Sequence, residues 1–284
     1  MSAGQLSSAV RRLRADETAG VVAMLQAPCG GLSAADSALL RQHLLDALDH
    51  GEHERFLVWP AEDPAAVLYA APNASAIPAG AVESARPLAP ALERSGWRVL
   101  IGEAPLTQAL VQASPPPLFR RGPRVREQRF MVLRRPRRGS AGGLRQASLR
   151  DLEAITDFAC KLHEEDLMGP PISRSGRSAV RVRMMEAVSR STVWVVERDG
   201  VAVGKVDLSL CSQRRGAQIA GVYVVPSWRN RGVATDAVGE VAARLHEQAF
   251  PGVTLHVRAD NAAAVAAYES AGFEDVAPLV LALR

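Results

Sequence analysis

Cysteine is scarce: Cys29, Cys160 and Cys211 are the whole set in 284 residues, and none has metal-ligand spacing. An odd, sparse set excludes a disulfide framework and a zinc ribbon. It suits a reducing compartment, where such thiols are expected to be buried small apolar side chains. Lysine is scarcer still. Of 34 basic residues only Lys161 and Lys205 are lysine, which reads as coding bias rather than mechanism. No apolar run approaches the ~18 residues of a membrane span. Arg11, Arg12 and Arg14 precede an apolar stretch, Val21–Leu25, that is too short for the core of a secretion signal. The expectation is a soluble cytoplasmic protein without a metal or a membrane partner.

What is present argues for a folded chain. Hydrophobic residues make up 48% and charged residues 23%, close to globular averages. The length leaves room for two domains at roughly 100–200 residues each. The net charge is +4 and the pI about 9.3, which invites a nucleic-acid reading. The charge is local, however. Residues 118–138 hold nine Arg and one acid, Glu127, so this segment carries +8 and the remainder of the chain −4. It is interrupted by Pro123 and Pro136 and contains the strand-like Gln128–Leu133. A solvated edge strand followed by a linker is the simpler account.

Pro, Gly and Ser set the organisation. Ser114-Pro115-Pro116-Pro117 is a stiff break, and Arg134–Gly143 has the composition of a linker. The boundary is expected near residue 139, giving an accessory region 1–139 and a second domain 140–284. In the second region, strand-like Gly143–Ala147 leads to Ser148, which caps a helix to about His163. After the Gly169-Pro170-Pro171 break comes a helix over Ser175–Ser189. A hairpin of Thr192–Glu197 and Val201–Leu210 follows, then strand Ile219–Val225 and a helix from Val233 to Glu247. Strand Val253–Arg258, helix Asn261–Ala271 and strand Ala277–Leu283 close the chain. The first region gives a similar order. A hairpin of Arg55–Trp59 and Ala66–Ala70 precedes helix Ala85–Arg94, strand Trp97–Ile101, helix Pro105–Gln112 and strand Gln128–Leu133. This similarity suggests a weak internal duplication. An amphipathic helix is expected over Asp36–Leu48. His43, His50 and His53 fall in and after it and look like a polar helix end, not a metal site.

The sharpest local pattern is Val222-Tyr223-Val224-Val225-Pro226-Ser227-Trp228-Arg229-Asn230-Arg231-Gly232-Val233-Ala234-Thr235. A strand ends at Pro226, and a turn rich in Arg and Gly opens a helix. Backbone N–H groups from Asn230 to Thr235 lack intrahelical partners and lie at the positive end of the helix dipole. Such a turn is a ready phosphate site. Gly232 and small Ala234 let an anion approach, and Arg229 and Arg231 add charge. By itself this also describes an ordinary strand-to-helix turn, with Trp228 a packing residue beside it.

The pattern Arg229-x-x-Gly232-x-Ala234 after a V-x-V-x-P strand resembles motif A of the GNAT superfamily of N-acetyltransferases. Asn261, Tyr268 and Gly272-Phe273 resemble its motif B. The resemblance covers residues 142–284. It implies an α/β (α+β) fold, a mixed, mostly antiparallel sheet flanked by helices, with two such halves in tandem here. It implies that the main chain of Val222, Tyr223 and Val224 pairs with the pantetheine arm of acetyl-CoA. The amides of Asn230, Arg231, Gly232, Val233, Ala234 and Thr235 then hold the pyrophosphate, and Asn261 bonds pantetheine. Tyr268 is placed to protonate the leaving thiolate, and the Val224 N–H to stabilise the oxyanion. The acyl group passes directly to a small-molecule or peptide amine.

The amine must lose a proton before it attacks, so a base is needed. Strand Ile219–Val225 has no acid. Asp207 lies on the preceding strand, and His163, Glu164, Glu165 and Asp166 cluster at a helix end. Glu165 is the base candidate, against the simpler reading of a solvated helix end. In the first region Pro72–Gly80 carries no Arg/Gly phosphate turn. That half is therefore expected to resemble the degenerate N-terminal domains of some bacterial GNAT proteins, without cofactor, shaping acceptor access or mediating pairing in a homodimer. An acetyl-CoA-binding sensor without catalysis stands as the alternative function.

Overall fold

A computed structural model describes residues 9–114, 122–139, 142–166, 168–169 and 171–284. The break at Pro115–Pro117, Arg120 and Arg121 of the basic segment, and Pro170 lie outside the described residues. Two compact units form. One is built from the described residues through Phe130 with Arg258–Asp260 and Val276–Arg284, the other from Met131–Val257 and Asn261–Asp275.

The first unit begins with β1 (Arg11–Arg12), α1 (Thr18–Gln26), α2 (Ala34–Leu40) and α3 (Gln42–Asp49). It continues with β2 (Phe56–Trp59), β3 (Ala66–Ala70), β4 (Ser75–Gly80), α4 (Ala85–Arg94), β5 (Val99–Glu103) and α5 (Ala104–Ala113), and β6 (Arg124–Leu133) follows. Strands β1 to β4 pair antiparallel in order, β5 pairs parallel to β4, and residues 279–283 lie antiparallel to β5. The expected helix Asp36–Leu48 is two helices broken at Arg41. The buried Arg41 guanidinium donates to Glu103 at 2.7 Å and to the carbonyl of Leu25 at 3.3 Å. A local break in the helix accompanies a paired buried charge, which would be costly without its partners.

Strand β4 falls where Pro72–Gly80 reads as a connection. Its Pro78 is tolerated because backbone pairing with β5 stops at Ala76↔Leu100, so the ring removes no needed donor there. With β4 included, the first half runs β-β-β-α-β-α-β.

The second half of the chain repeats that order. It contains β7 (Leu144–Gln146), α6 (Leu152–Glu165), α7 (Arg174–Ser189), β8 (Val193–Arg198), β9 (Val201–Ser212) and β10 (Gly216–Val224). These are followed by α8 (Val233–Glu247), β11 (Val253–Arg258), α9 (Ala262–Ser270) and β12 (Phe273–Leu283). Strands β7 to β10 are antiparallel in order and β11 is parallel to β10. The fold is thus mixed α/β with mostly antiparallel pairing and flanking helices. Its core packs Val238, Val241 and Leu245 of α8 against Ile219, Val253, Leu255 and Phe273. Each such side chain, fully buried, contributes roughly 1.5–3 kcal/mol. A second cluster packs Ile155 and Ala159 of α6 and Met184 of α7 on Val193 and Val195 of β8. The two clusters clamp β8–β10 between helices, which fixes the strands that frame the site.

Two expectations need correction. Cys211 is exposed, and Cys29 and Cys160 are half-buried, so none is a core residue. Part of the presumed linker is pinned: the N–H groups of Arg134 and Arg135 donate to the Gly272 carbonyl at 3.0 and 3.2 Å, and Arg138 pairs with Glu247. Among the described residues no helix is long and apolar enough to cross a membrane, and no group of three His, Cys, Asp or Glu could hold a metal ion.

Candidate active site

The site begins where two parallel strands part. Pairing of β10 with β11 covers Ala217↔Val253, Gln218↔Thr254 and Ile219↔Leu255, then ends, although β10 runs on to Val224 and β11 to Arg258. The divergence coincides with a bulge in β10 between Ala220 and Tyr223, where the register with β9 shifts. Gly221 sits in the bulge at φ +54°, a left-handed conformation that favours glycine. A Cβ there would overlap the Asp207 carboxylate and the Lys205 amine.

Beyond the bulge the strand is regular again. The Val225 N–H donates to the Val203 carbonyl of β9 at 2.9 Å. Strand groups alternate in direction, so the N–H and C=O of Val224 face away from β9, toward the gap. The Val224 carbonyl accepts from Arg229 Nε at 2.8 Å. The Val224 amide is therefore a donor aimed at open space between diverging strands, the place where an extended ligand could pair as an added strand.

The turn that follows is built as its sequence suggests. Asn230 and Gly232 have φ of +59° and +75°. Gly232 is the N-cap of α8 and accepts the first helical bond, from the Asp236 N–H at 2.9 Å. The amides of Val233, Ala234 and Thr235 precede that bond and have no intrahelical carbonyl to reach. No side chain caps this end. A Cβ at Gly232 would meet nothing within 4 Å, so the turn is open to a ligand. Trp228 is half-buried and carries Arg231 over its ring at 5.0 Å.

Arg229 is placed differently from expectation. Its guanidinium grips both Glu165 oxygens, at 2.8 and 2.9 Å, and lies 5.4 Å from the centroid of the Tyr223 ring. Tyr223 in turn stacks on Phe158 of α6 at 5.3 Å. Burial, and then the Glu165 charge, pushes the Tyr223 phenol above its ordinary value. Arg229 thus ties α6 to β10. The turn's ready anion donors are its backbone amides.

Asn261 stands at the start of α9 and Tyr268 within it. The Asn261 side chain caps α9, accepting from the Ala264 N–H at 3.1 Å. Tyr268, seven residues on, is buried, and its phenol is held well above its ordinary value by burial and then by Asp166. It is therefore a protonated hydroxyl across the neutral range. Asp166 also lines a cavity of about 260 Å³ with His163, Arg183, Lys205, Asp207 and Gly221. Sequence reasoning named Asp207 but passed over Lys205. The two lie two residues apart on β9, so their side chains share one face of the strand. That spacing was the available signal.

Residues 159–273 match the model of the acetyltransferase (GNAT) family. A GCN5-related N-acetyltransferase from Sphaerobacter thermophilus resembles the chain at 15% identity and a TM-score of 0.61, covering 97% of this chain and 94% of that one. An acetyltransferase of the GNAT family from Colwellia psychrerythraea does so at 12% identity and 0.59, covering 96% and 98%. A GNAT-family protein from Novosphingobium aromaticivorans gives 21% identity and 0.53, covering 86% and 97%. At these identities the likeness is one of fold. No curated protein matches the sequence.

Proposed function

We propose that this chain, whose residues 159–273 form a GNAT-family domain, transfers an acetyl group from acetyl-CoA to an amine. One observation carries the reading: β10 and β11 part after Ile219↔Leu255 and leave the Val224 amide facing the gap, directly ahead of the uncapped N-terminus of α8. A strand edge for a pantetheine arm and an anion cradle for a pyrophosphate stand in one continuous path.

The residues divide the work. The amides of Val233, Ala234 and Thr235 hold phosphate oxygens, helped by the positive end of the α8 dipole. Asn230, Arg231 and Gly232 shape the turn. Val222, Tyr223 and Val224 offer main-chain groups to the amide-bearing arm. Bound acetyl-CoA supplies an activated thioester. The Val224 N–H stabilises negative charge on its carbonyl oxygen, a kind of donor worth about 10²–10³ in rate. Tyr268, kept protonated by burial, donates to the departing sulfur. Asn261 holds the start of α9, and so the position of Tyr268, through its cap.

The first unit has the same order of elements but no Arg/Gly turn. A short turn over Val82–Ser84, bearing Glu83, leads into α4. An acid there opposes a bound phosphate, so we assign the acetyl-CoA site to the second unit alone.

Acetyl-CoA binds only the folded state, so at 100-fold its Kd it adds about 2.7 kcal/mol of stability. The melting temperature should rise by roughly 5–10 °C for a domain of this size. No shift at millimolar acetyl-CoA overturns the reading. A shift without release of CoA across a broad amine panel leaves a binding protein rather than a transferase.

A further inference from the structure

Lys205 is fully buried in β9. Its amine donates to Asp207 Oδ2 and, at 2.8 Å, to the carbonyl of Gly221 in the β10 bulge. The other carboxylate oxygen, Asp207 Oδ1, is buried and has no hydrogen-bond partner. A buried acceptor left unsatisfied costs about 1–3 kcal/mol, more when charged, so the group calls for a physical account. Asp207 lines the 260 Å³ cavity described above. Asp166, on the same cavity wall, is close enough to perturb Tyr268. The unsatisfied carboxylate thus lies on a cavity whose wall also carries Asp166, the charge that helps to raise the Tyr268 phenol.

We propose that Asp207, backed by Lys205, is the proton acceptor for a small primary ammonium that binds in this cavity. The inference rests on the transferase reading above. Four features support it. The cavity accommodates a small molecule. The Lys205–Asp207 pair has no net charge, so an arriving ammonium meets a carboxylate already compensated and still holding free lone pairs. Asp207 lines the cavity and its terminal torsion is soft, so a bound ammonium can reach the carboxylate. The Arg183 guanidinium on α7, which also lines the cavity, favours the neutral amine over the ammonium and so eases the loss of the amine's proton.

The charged and titratable groups facing Asp207 are Lys205 on its own strand, Arg183 on α7, and His163 and Asp166 at the end of α6; β10 contributes the bulge at Gly221. Burial raises the Asp207 carboxyl above its ordinary value, against the opposing pull of Lys205. A raised value makes the carboxylate a better base near neutrality. Glu165, the other candidate, has both oxygens engaged by Arg229.

The proton balance closes. The ammonium gives one proton to the Asp207 carboxylate, and the free amine attacks the thioester carbonyl. The N–C bond forms and the C–S bond breaks. The sulfur takes the Tyr268 proton, and the amine's second proton restores the tyrosine through solvent. Asp207 releases its proton to water, so one proton leaves per turnover.

The test uses the full chain with acetyl-CoA and a panel of tyramine, spermidine, kanamycin, free amino acids and glycine-led dipeptides. Release of CoA selects the best acceptor. Asp207→Asn should lower kcat/KM for it by about 100-fold or more and abolish the acidic limb of the pH profile. Its acetyl-CoA affinity should stay within about twofold of wild type. Because Asp207→Asn strands the buried Lys205, the double variant Lys205→Met/Asp207→Asn removes the pair together. It should fold, bind acetyl-CoA and show the same loss. Turnover within about threefold of wild type and an unchanged acidic limb in either variant overturn this inference and leave the transferase reading standing. An absence of acetyl-CoA binding by the wild type overturns the transferase reading. Binding without acetylation of any panel amine overturns both.

Discussion

Arg229 holds Glu165 by both carboxylate oxygens, at 2.8 and 2.9 Å, while its Nε holds the Val224 carbonyl at 2.8 Å. One guanidinium therefore joins the end of α6 to the strand whose amide faces the gap. The bond raises the Arg229 guanidinium further above its already high ordinary value, chiefly through Glu165. Glu165 acts here as an anchor for Arg229, and Arg229 as a brace for Val224.

That arrangement predicts a mild phenotype for Glu165→Gln. The two side chains are 39% and 44% exposed, and exposed pairs contribute about 0–1 kcal/mol. The melting temperature should fall by no more than about 4 °C. The kcat should drop less than about tenfold, since a glutamine still accepts from Arg229. A loss of kcat beyond 100-fold in a folded variant, measured by CoA release, returns Glu165 to the role of base.

Tyr268→Phe separates chemistry from binding. The phenol is buried, and its removal leaves the ring packed in α9. The kcat should fall by about 10–100-fold, below the usual range for general acids because thiolates leave readily. The Kd for acetyl-CoA, read by titration calorimetry, should change less than about twofold. The linkage has a definite sign. The folded phenol ionises above its unfolded value of about 10, so its contribution is fully present below that pH and fades as pH rises past it. Above pH 10 wild type should lose stability faster than the variant. Equal slopes in alkaline melts contradict the burial argument.

Much of the geometry of this candidate site was legible in the sequence because it is built from backbone. A strand, a Pro, and an Arg-Gly turn before an apolar helix specify the strand Gly216–Val224, the turn and the helix Val233–Glu247 with little tertiary information. Tyr268 and Asn261 follow from position on a short helix. The missing parts were those made by contacts distant in sequence. Arg229 pairs with a residue 64 positions away, and β4 lies between β3 and the more distant β5. Lys205 looks like a surface cation until the Gly221 bulge brings a carbonyl to its amine. The similar order of elements in the two halves was suggested by the sequence, and β4 fills the gap that the first half had in it.

Gly232→Ala tests the anion turn. Its φ of +75° disfavours any side chain, by roughly 1–2 kcal/mol, although a Cβ would find open space. The apo protein should melt about 2–8 °C lower. The strain also disturbs the turn that aligns the amides, so the acetyl-CoA-induced shift should shrink. If the apo melt falls and the ligand-induced shift is undiminished, the phosphates bind elsewhere.

Asp151 probes the scaffold rather than the chemistry. It is buried, accepts two bonds from Arg145 at 2.8 Å and one from the Ser148 N–H at 2.8 Å, and so caps the entry to α6. Arg145, foremost, and Ser148 hold its carboxyl far below the usual range. A depressed folded value means the stability is present above the unfolded value of about 4 and is lost as pH falls below it. Asp151→Asn should cost about 2–3 kcal/mol at pH 7, less than a fully buried pair because Glu197 still engages Arg145. Below pH 4 the two melting curves should converge.

Gly221→Ala links the bulge to the proton acceptor. Its φ of +54° carries the same backbone penalty of roughly 1–2 kcal/mol. Its Cβ, unlike that at Gly232, would overlap the Asp207 carboxylate and the Lys205 amine. Both are ends of flexible side chains, so they can move apart and the protein can still fold. Lys205 then loses its bond to the Gly221 carbonyl, and the Asp207 carboxylate is pushed from its place on the cavity wall. The expected result is a melting temperature lower by about 2–8 °C and a kcat/KM for the best amine lower by about tenfold or more, with acetyl-CoA still bound. The acidic limb of the pH profile should shift as well, because a displaced carboxylate ionises in a different environment. An alanine variant that is less stable yet keeps wild-type kcat/KM and the same limb would mean that the bulge serves the fold alone.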